Sequence, residues 1–322
     1  MQRRLSGPVL DTGSGRRPED FQIMDGRETR TGKTDAMNDK RFERVLAAAA
    51  AAVILLCAGF LLTLALDATP VIRQEGAAFL YGTQWNPVTA RFGALPFIAG
   101  TVLTSILALA IALPLSLGTG IVLGEYLRDS RLGALLNVMV NLLASIPSVV
   151  YGLWGIAVVI PAVRSLALLV GAPPYGSGIL SASLVLSIMI VPYMSSLIRE
   201  ALRSIPPGLR EGAYALGMTT FEMVGGVALP HARSSIIAGI LISFSRALGE
   251  TMAVTMLIGN ATRMPTSLFS LGNSLASVIA SQFNEAASDV HRSAMMGLAL
   301  ILLFITLLAG WTGRKLMHRK VD

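Results

Sequence analysis

The chain has 322 residues, of which 53% are hydrophobic and only 14% charged. A soluble domain carries about 25% charged residues, so an ordinary water-facing globular domain is excluded. The net charge of +7 does not point to nucleic acid, because the basic residues flank apolar runs, where they set membrane orientation. The single cysteine, Cys57, allows no internal disulfide, and His231, His291 and His318 form no metal-ligand pattern. No metal or cofactor is expected.

Residues 1–45 are polar and without hydrophobic periodicity, so a disordered, basic cytoplasmic tail is expected. Arg3-Arg4 and Arg16-Arg17 are no twin-arginine signal, since no apolar stretch follows before residue 46. Met37 is an alternative start.

Six membrane spans are predicted, near 46–66, 97–123, 135–160, 178–198, 234–258 and 293–311. The first is a separate helix; the other five, with the loop 199–233, make a core over 97–311. A basic cytoplasmic tail, 312–322, closes the chain. Cys57 lies inside the first span as an inert filler. In the second span, Gly100, Thr104, Ala108 and Ala112, then Ser116, Gly120 and Gly124, form small-residue stripes for helix packing. Glu125 and Arg128 at its inner end are expected to be solvated. The third span lies in an uncharged stretch too long for one straight crossing, and Pro147 and Gly152 are expected to break or kink it. Asn137, Asn141 and Ser145 recur every four residues there; the face serves interhelical hydrogen bonding or lines a path. Trp85, Tyr175 and Trp311 lie where interfacial aromatics are expected.

Lysines and arginines orient the spans. With the N-terminus inside, segments 1–45, 124–134, 199–233 and 312–322 hold 20 basic residues against 5 in the outer segments. Dropping residues 1–36 leaves 13 against 5. Both termini are therefore expected in the cytoplasm. No G-x-x-x-x-G-K-[ST] occurs, so ATP hydrolysis through a P-loop is excluded and the chain is not expected to be an enzyme.

The loop 199–233 reads as two short helices. Pro206-Pro207 suits a first turn, Gly217 a helix end, Thr219 with Glu222 a capping box, and Pro230 a stop. The spacing Glu211-Gly212-Ala213, Gly217, then Val227-Ala228-Leu229-Pro230 resembles the EAA loop of ABC-importer permeases, E-A-A-x(3)-G-x(9)-I-x-L-P. Gly212 replaces an alanine and Val227 an isoleucine. From average residue frequencies, a chance match has a probability of roughly 1% or less. The bland alternative is an amphipathic helix lying on the membrane.

Arg246 and Glu250, four residues apart in the fifth span, would share one helix face. An arginine at mid-membrane costs about 2.5–3.5 kcal/mol, so the pair must face protein or water. Either it locks two helices as a buried ion pair, or Arg246 meets an anion while Glu250 holds it in place or takes its charge when the site is empty.

Arg246-Ala247-Leu248-Gly249-Glu250-Thr251-Met252-Ala253-Val254-Thr255-Met256, Ile258-Gly259-Asn260, Ser145–Gly155 and Ser267–Ala280 resemble the C-subunit permeases of Pst phosphate importers. The resemblance covers residues 40–320. It implies an all-α membrane protein with six transmembrane helices and the type I ABC-importer permease architecture, in a bacterial inner membrane. It also implies partners: a second homologous permease, two copies of a cytoplasmic ATPase, and a periplasmic phosphate-binding protein. From these residue readings, Arg246, Glu250, Asn137 and Asn141 are the candidates for the substrate path, and the resemblance to the EAA loop makes Glu211, Gly212, Ala213, Gly217, Leu229 and Pro230 the candidates for coupling to the ATPase. Import of another oxyanion, sulfate or molybdate, is the nearest rival. A proton-coupled secondary transporter, using Glu250, would leave the loop spacing unexplained.

Overall fold

A computed structural model describes the backbone of residues 18–318 and the side chains of residues 42–312 and Lys315. Among the described residues six helices are long and apolar enough to cross a membrane: Phe42–Asp67, Leu95–Tyr126, Ser148–Leu169, Ile179–Arg203, Thr220–Leu248 and Asp289–Thr312. The chain divides into two compact units, Met1–Leu62 and Thr63–Asp322.

Helix α1 begins at Pro18, in the first unit, and runs on to Asp67, five residues beyond that unit's end at Leu62. The unstructured tail expected over 1–45 is thus helical from Pro18, and residues 1–17 lie outside the described residues. Ile54, Leu55 and Leu56 expose 67%, 71% and 73% of their surface. A helix that is apolar and exposed on successive side chains is suited to lipid.

The second unit opens with two short helices, α2 (Thr69–Glu75) and α3 (Ala78–Tyr81), and a hairpin of β1 (Trp85–Asn86) and β2 (Arg91–Phe92). The strands pair antiparallel, Trp85 opposite Phe92. Trp85 is no interfacial anchor. It is 7% exposed, meets the rings of Phe92 and Phe97 edge-on at 4.9 Å, and donates to Gln282 Oε1. Tyr175 and Trp311 are exposed.

Helix α4 (Leu95–Ile121) ends in a π-helical turn, Val122–Tyr126. It packs along α8 (Ile179–Arg203), whose Ile190, Met194 and Ile198 are fully buried. All seven small residues of the predicted stripes are buried. A Cβ on Gly120 would come within 2.7 Å of Ile198 Cγ2, so glycine there permits the close approach. Thr104 satisfies its hydroxyl on Gly100 O within the same helix.

The third span lies further along the chain than its sequence indicates. Helix α5 (Arg131–Ser145) stops before Pro147. At 15 residues it is about 22 Å long, too short for a core of about 30 Å. The crossing is instead α6 (Ser148–Trp154), a π-helical turn over Gly155–Val159, and α7 (Ile160–Leu169). Pro147 pushes Ile146 into an extended conformation, ψ 129°. Gly152 does not kink the span; it lies inside α6. Tyr151 Oη donates across the break to Leu143 O at 2.8 Å.

After α9 (Pro207–Ala215), α10 (Thr220–Met223) passes through a π-helical turn (Val224–Ala228) into α11 (Leu229–Leu248). Pro230 therefore does not stop the second loop helix, as expected, but sits in the first turn of α11. The wider π-helical turn before it absorbs the missing N–H and the ring's clash with the preceding turn. The fifth span ends at Leu248, not 258. Two short helices, α12 (Met252–Leu257) and α13 (Leu275–Gln282), precede α14 (Asp289–His318).

Candidate translocation site and coupling surface

The apolar segment carrying Arg246 is interrupted. The α-helix ends at Leu248, and Gly249, Glu250 and Thr251 link it to α12. Arg246 and Glu250 thus lie on either side of a break rather than on one helix face. Among the described residues no ion pair joins them. Glu250 is half-buried, and its Oε1 accepts from Ala253 N at 3.4 Å, at the start of α12. It caps α12 instead of holding Arg246. Arg246 is exposed, its guanidinium 5.5 Å from the centre of the Tyr193 ring on α8. A bare guanidinium in an apolar span requires protein or water against it, not lipid.

The two broken segments meet. A Cβ on Gly152 in α6 would come within 2.5 Å of Met256 Sδ and 3.4 Å of Ala253 Cα in α12. Interrupted helices that meet in this way are a feature of transporter binding sites. Past α12 the chain turns sharply, with Gly259 at φ 89° and Asn260 at φ 53°. Asn260 stabilises that turn, donating to Thr255 O and accepting from Ser277 Oγ.

The asparagine face is split. Asn137 is half-buried with Oδ1 out of contact with any partner, whereas Asn141 and Ser145 are exposed. Among the described residues no hydrogen bond joins Asn137 or Asn141 to Arg246 or Glu250.

The loop after α8 follows its local chemistry. Pro207 opens α9. Gly217, at φ 81°, closes it: Met218 N donates to Ala213 O and Gly217 N to Tyr214 O. Thr219 and Glu222 form the capping box. Ala213 is buried, Glu211 and Gly212 are exposed, Leu229 is half-buried and Pro230 exposed. Around them Leu209, Tyr214, Leu216 and Phe221 expose 41%, 45%, 82% and 79% of their surface. Apolar side chains grouped this way on a polar loop mark an interaction surface.

Sequence reasoning missed Arg210. It forms a bidentate ion pair with Glu125, at 2.6 Å, and the Glu125 side chain is 3% exposed. Glu125 is thus not solvated as expected, and Arg128 is half-buried. The partners are 85 residues apart, and no local pattern connects them.

A helix–turn–helix with exposed apolar side chains, joined to helices of membrane-spanning length and composition, fits the membrane-spanning permease subunit of an ABC importer. The chain belongs to the family of binding-protein-dependent transport system inner membrane components, whose family model matches residues 116–320. It is 38% identical over 299 residues to the phosphate transport system permease protein PstC of Mesorhizobium japonicum, covering 88% of this chain and 91% of that protein. It is 40% identical to PstC of Haemophilus influenzae, covering 82% and 88%. Among solved structures it resembles a chain of the alginate ABC transporter in complex with a periplasmic protein, with TM-score 0.59, 17% identity, and 87% and 97% coverage. A chain of the MetNI methionine ABC transporter matches with TM-score 0.53, 21% identity, and 71% and 95% coverage. These two share the fold. The relatives are transport permeases, so the chain is a transport subunit and not an enzyme.

Proposed function

We propose that this subunit carries inorganic phosphate inward, paired with a second homologous permease, two cytoplasmic ATPase copies and a periplasmic phosphate-binding protein. Relatives at 38% and 40% identity over most of the chain, all named phosphate permeases, support the substrate. The observation that carries the path is the exposed Arg246 guanidinium at the end of α11, beside the interruption that precedes α12. Its fork of N–H donors matches two oxygens of a tetrahedral oxyanion, and Tyr193 limits its freedom to turn.

The helix α9 and the exposed Leu216 and Phe221 seat against the ATPase, with Glu211, Gly212, Ala213, Gly217, Leu229 and Pro230 building that surface. ATP binding closes the ATPase dimer, the loop transmits the movement, and the spans open outward to take phosphate. Hydrolysis restores the inward-open state. The loop end and both termini lie in the cytoplasm, as the excess of 20 basic residues over 5 supports. Asn137 and Asn141 lie in the wall of the path or of the subunit contact.

The test is uptake of labelled phosphate, sulfate and molybdate in cells lacking their own C-subunit permease and complemented by this chain. Restored phosphate uptake, unaffected by excess sulfate or molybdate, is expected. Restoration of sulfate or molybdate uptake alone contradicts the assignment.

A further inference from the structure

Arg210 sits on α9, within the surface assigned to the ATPase, but its side chain is buried and reaches back into the membrane unit. Nε donates to Glu125 Oε2 at 3.1 Å, and Nη2 to Glu125 Oε1 at 2.6 Å. Nη1 donates to Ile205 O at 2.7 Å and Nη2 to Leu202 O at 2.5 Å. One side chain therefore fastens α9, the last carbonyls around the end of α8, and the π-helical turn that ends α4. The same turn is held a second time. Arg203, at the end of α8, donates from Nη2 to Leu123 O at 3.3 Å and to Arg128 O at 3.0 Å.

We propose that the Arg210–Glu125 pair is the joint through which a movement of α9 is passed to α4. The proposal rests on reading α9 as the ATPase-docking helix. A forked guanidinium on a carboxylate fixes direction as well as distance. Separating the two would leave a buried charge without its partner, so α9 and the end of α4 move together instead of sliding. From Glu125 to Gly100 the helix runs 25 residues, about 38 Å at 1.5 Å per residue. At that far end it is gripped again. A Cβ on Gly100 would lie 1.9 Å from Asn273 O, and Thr101 Oγ1 accepts from Leu275 N at 2.8 Å. A displacement entering at Glu125 is thus delivered to α13 and the loop before it. Arg210 and Glu125 are positioning residues: they touch neither substrate nor nucleotide.

The test uses the complete complex in liposomes, with Glu125→Gln as the main variant. The amide keeps the shape of the carboxylate and leaves Arg210 its two carbonyl bonds. ATP hydrolysis within twofold of the intact complex and substrate uptake per ATP reduced at least tenfold are expected. Arg210→Lys, which keeps the charge and loses the fork, falls between the two. The second readout needs no substrate. Spin labels at Gly208→Cys and Tyr126→Cys, in a Cys57→Ala background, report the spacing of α9 and the end of α4; Gly208 has open space for a side chain and Tyr126 is half exposed. In the intact pair that spacing holds when a non-hydrolysable ATP analogue is added, and in Glu125→Gln it broadens or shifts. Equal uptake per ATP in Glu125→Gln, or a nucleotide-driven shift of the same size with the pair intact, overturns the proposal. An intact chain that binds no ATPase overturns it together with the docking reading, whereas a substrate other than phosphate leaves the spacing result unchanged.

Discussion

Gly152 on α6 and Met256 on α12 lie so close that a single added carbon on Gly152 would fall 2.5 Å from the Met256 sulfur. The contact joins the segments that follow the two helix breaks, Ile146-Pro147 and Gly249–Thr251. The Met256 thioether is flexible and can yield, but Ala253 Cα at 3.4 Å is backbone. Gly152→Ala should therefore be tolerated with a small loss of uptake. Gly152→Val should push α12 away from α6 and lower uptake at least tenfold in a chain that still inserts. Labelled uptake, normalised to the amount in the membrane, checks the pair.

Gly100 makes a sharper case, because its neighbour is a carbonyl. With Asn273 O 1.9 Å from the position of a Cβ, Gly100→Ala must shift α4 or the loop before α13. A destabilisation of about 1–3 kcal/mol is expected from such overpacking. Gly118, on the same helix with nothing within 4 Å, is the control: Gly118→Ala should hold or slightly raise the melting temperature, since alanine favours helix over glycine. Thermal unfolding of the two variants in detergent measures the difference.

The coupling surface predicts a binding defect without a folding defect. Leu216 and Phe221 are 82% and 79% exposed, so neither supports the core. Leu216→Asp with Phe221→Asp should leave insertion and thermal stability near those of the unchanged chain. Co-purification of the ATPase should fall at least tenfold, because charges replace the apolar contacts that a partner would bury. Normal co-purification would place the ATPase contact elsewhere.

What the sequence made legible acts over short range. Pro207, Gly217 and the Thr219–Glu222 box shape the loop through bonds spanning a few residues, and those bonds form as read. The spans are legible because composition alone distinguishes lipid from water. The small stripe of α4 is legible because its spacing is helical and its residues are too small to serve another purpose. What was not legible depends on partners distant in sequence. Pro230 reads as a stop, yet a π-helical turn over Val224–Ala228 carries the helix past it. Arg246 and Glu250 read as one face, yet Glu250 turns to cap α12 and the helix ends before it. Glu125 reads as a solvated end of a span, and only the folded chain brings Arg210 to it. Trp85 reads as an interfacial ring, and only the packing of Phe92, Phe97 and Gln282 around it draws it inside.

The account turns on Arg246 meeting the transported anion. The direct test is labelled-phosphate uptake by the assembled complex carrying Arg246→Ala or Arg246→Lys, compared with the unchanged chain. Both variants should assemble and bind the ATPase, because Arg246 is exposed and its one described contact is the Tyr193 ring. Uptake at least a hundredfold lower for alanine is expected, with a smaller loss for lysine, which keeps the charge without the fork. Uptake by Arg246→Ala at the rate of the unchanged chain would contradict the account and leave Arg246 a structural residue.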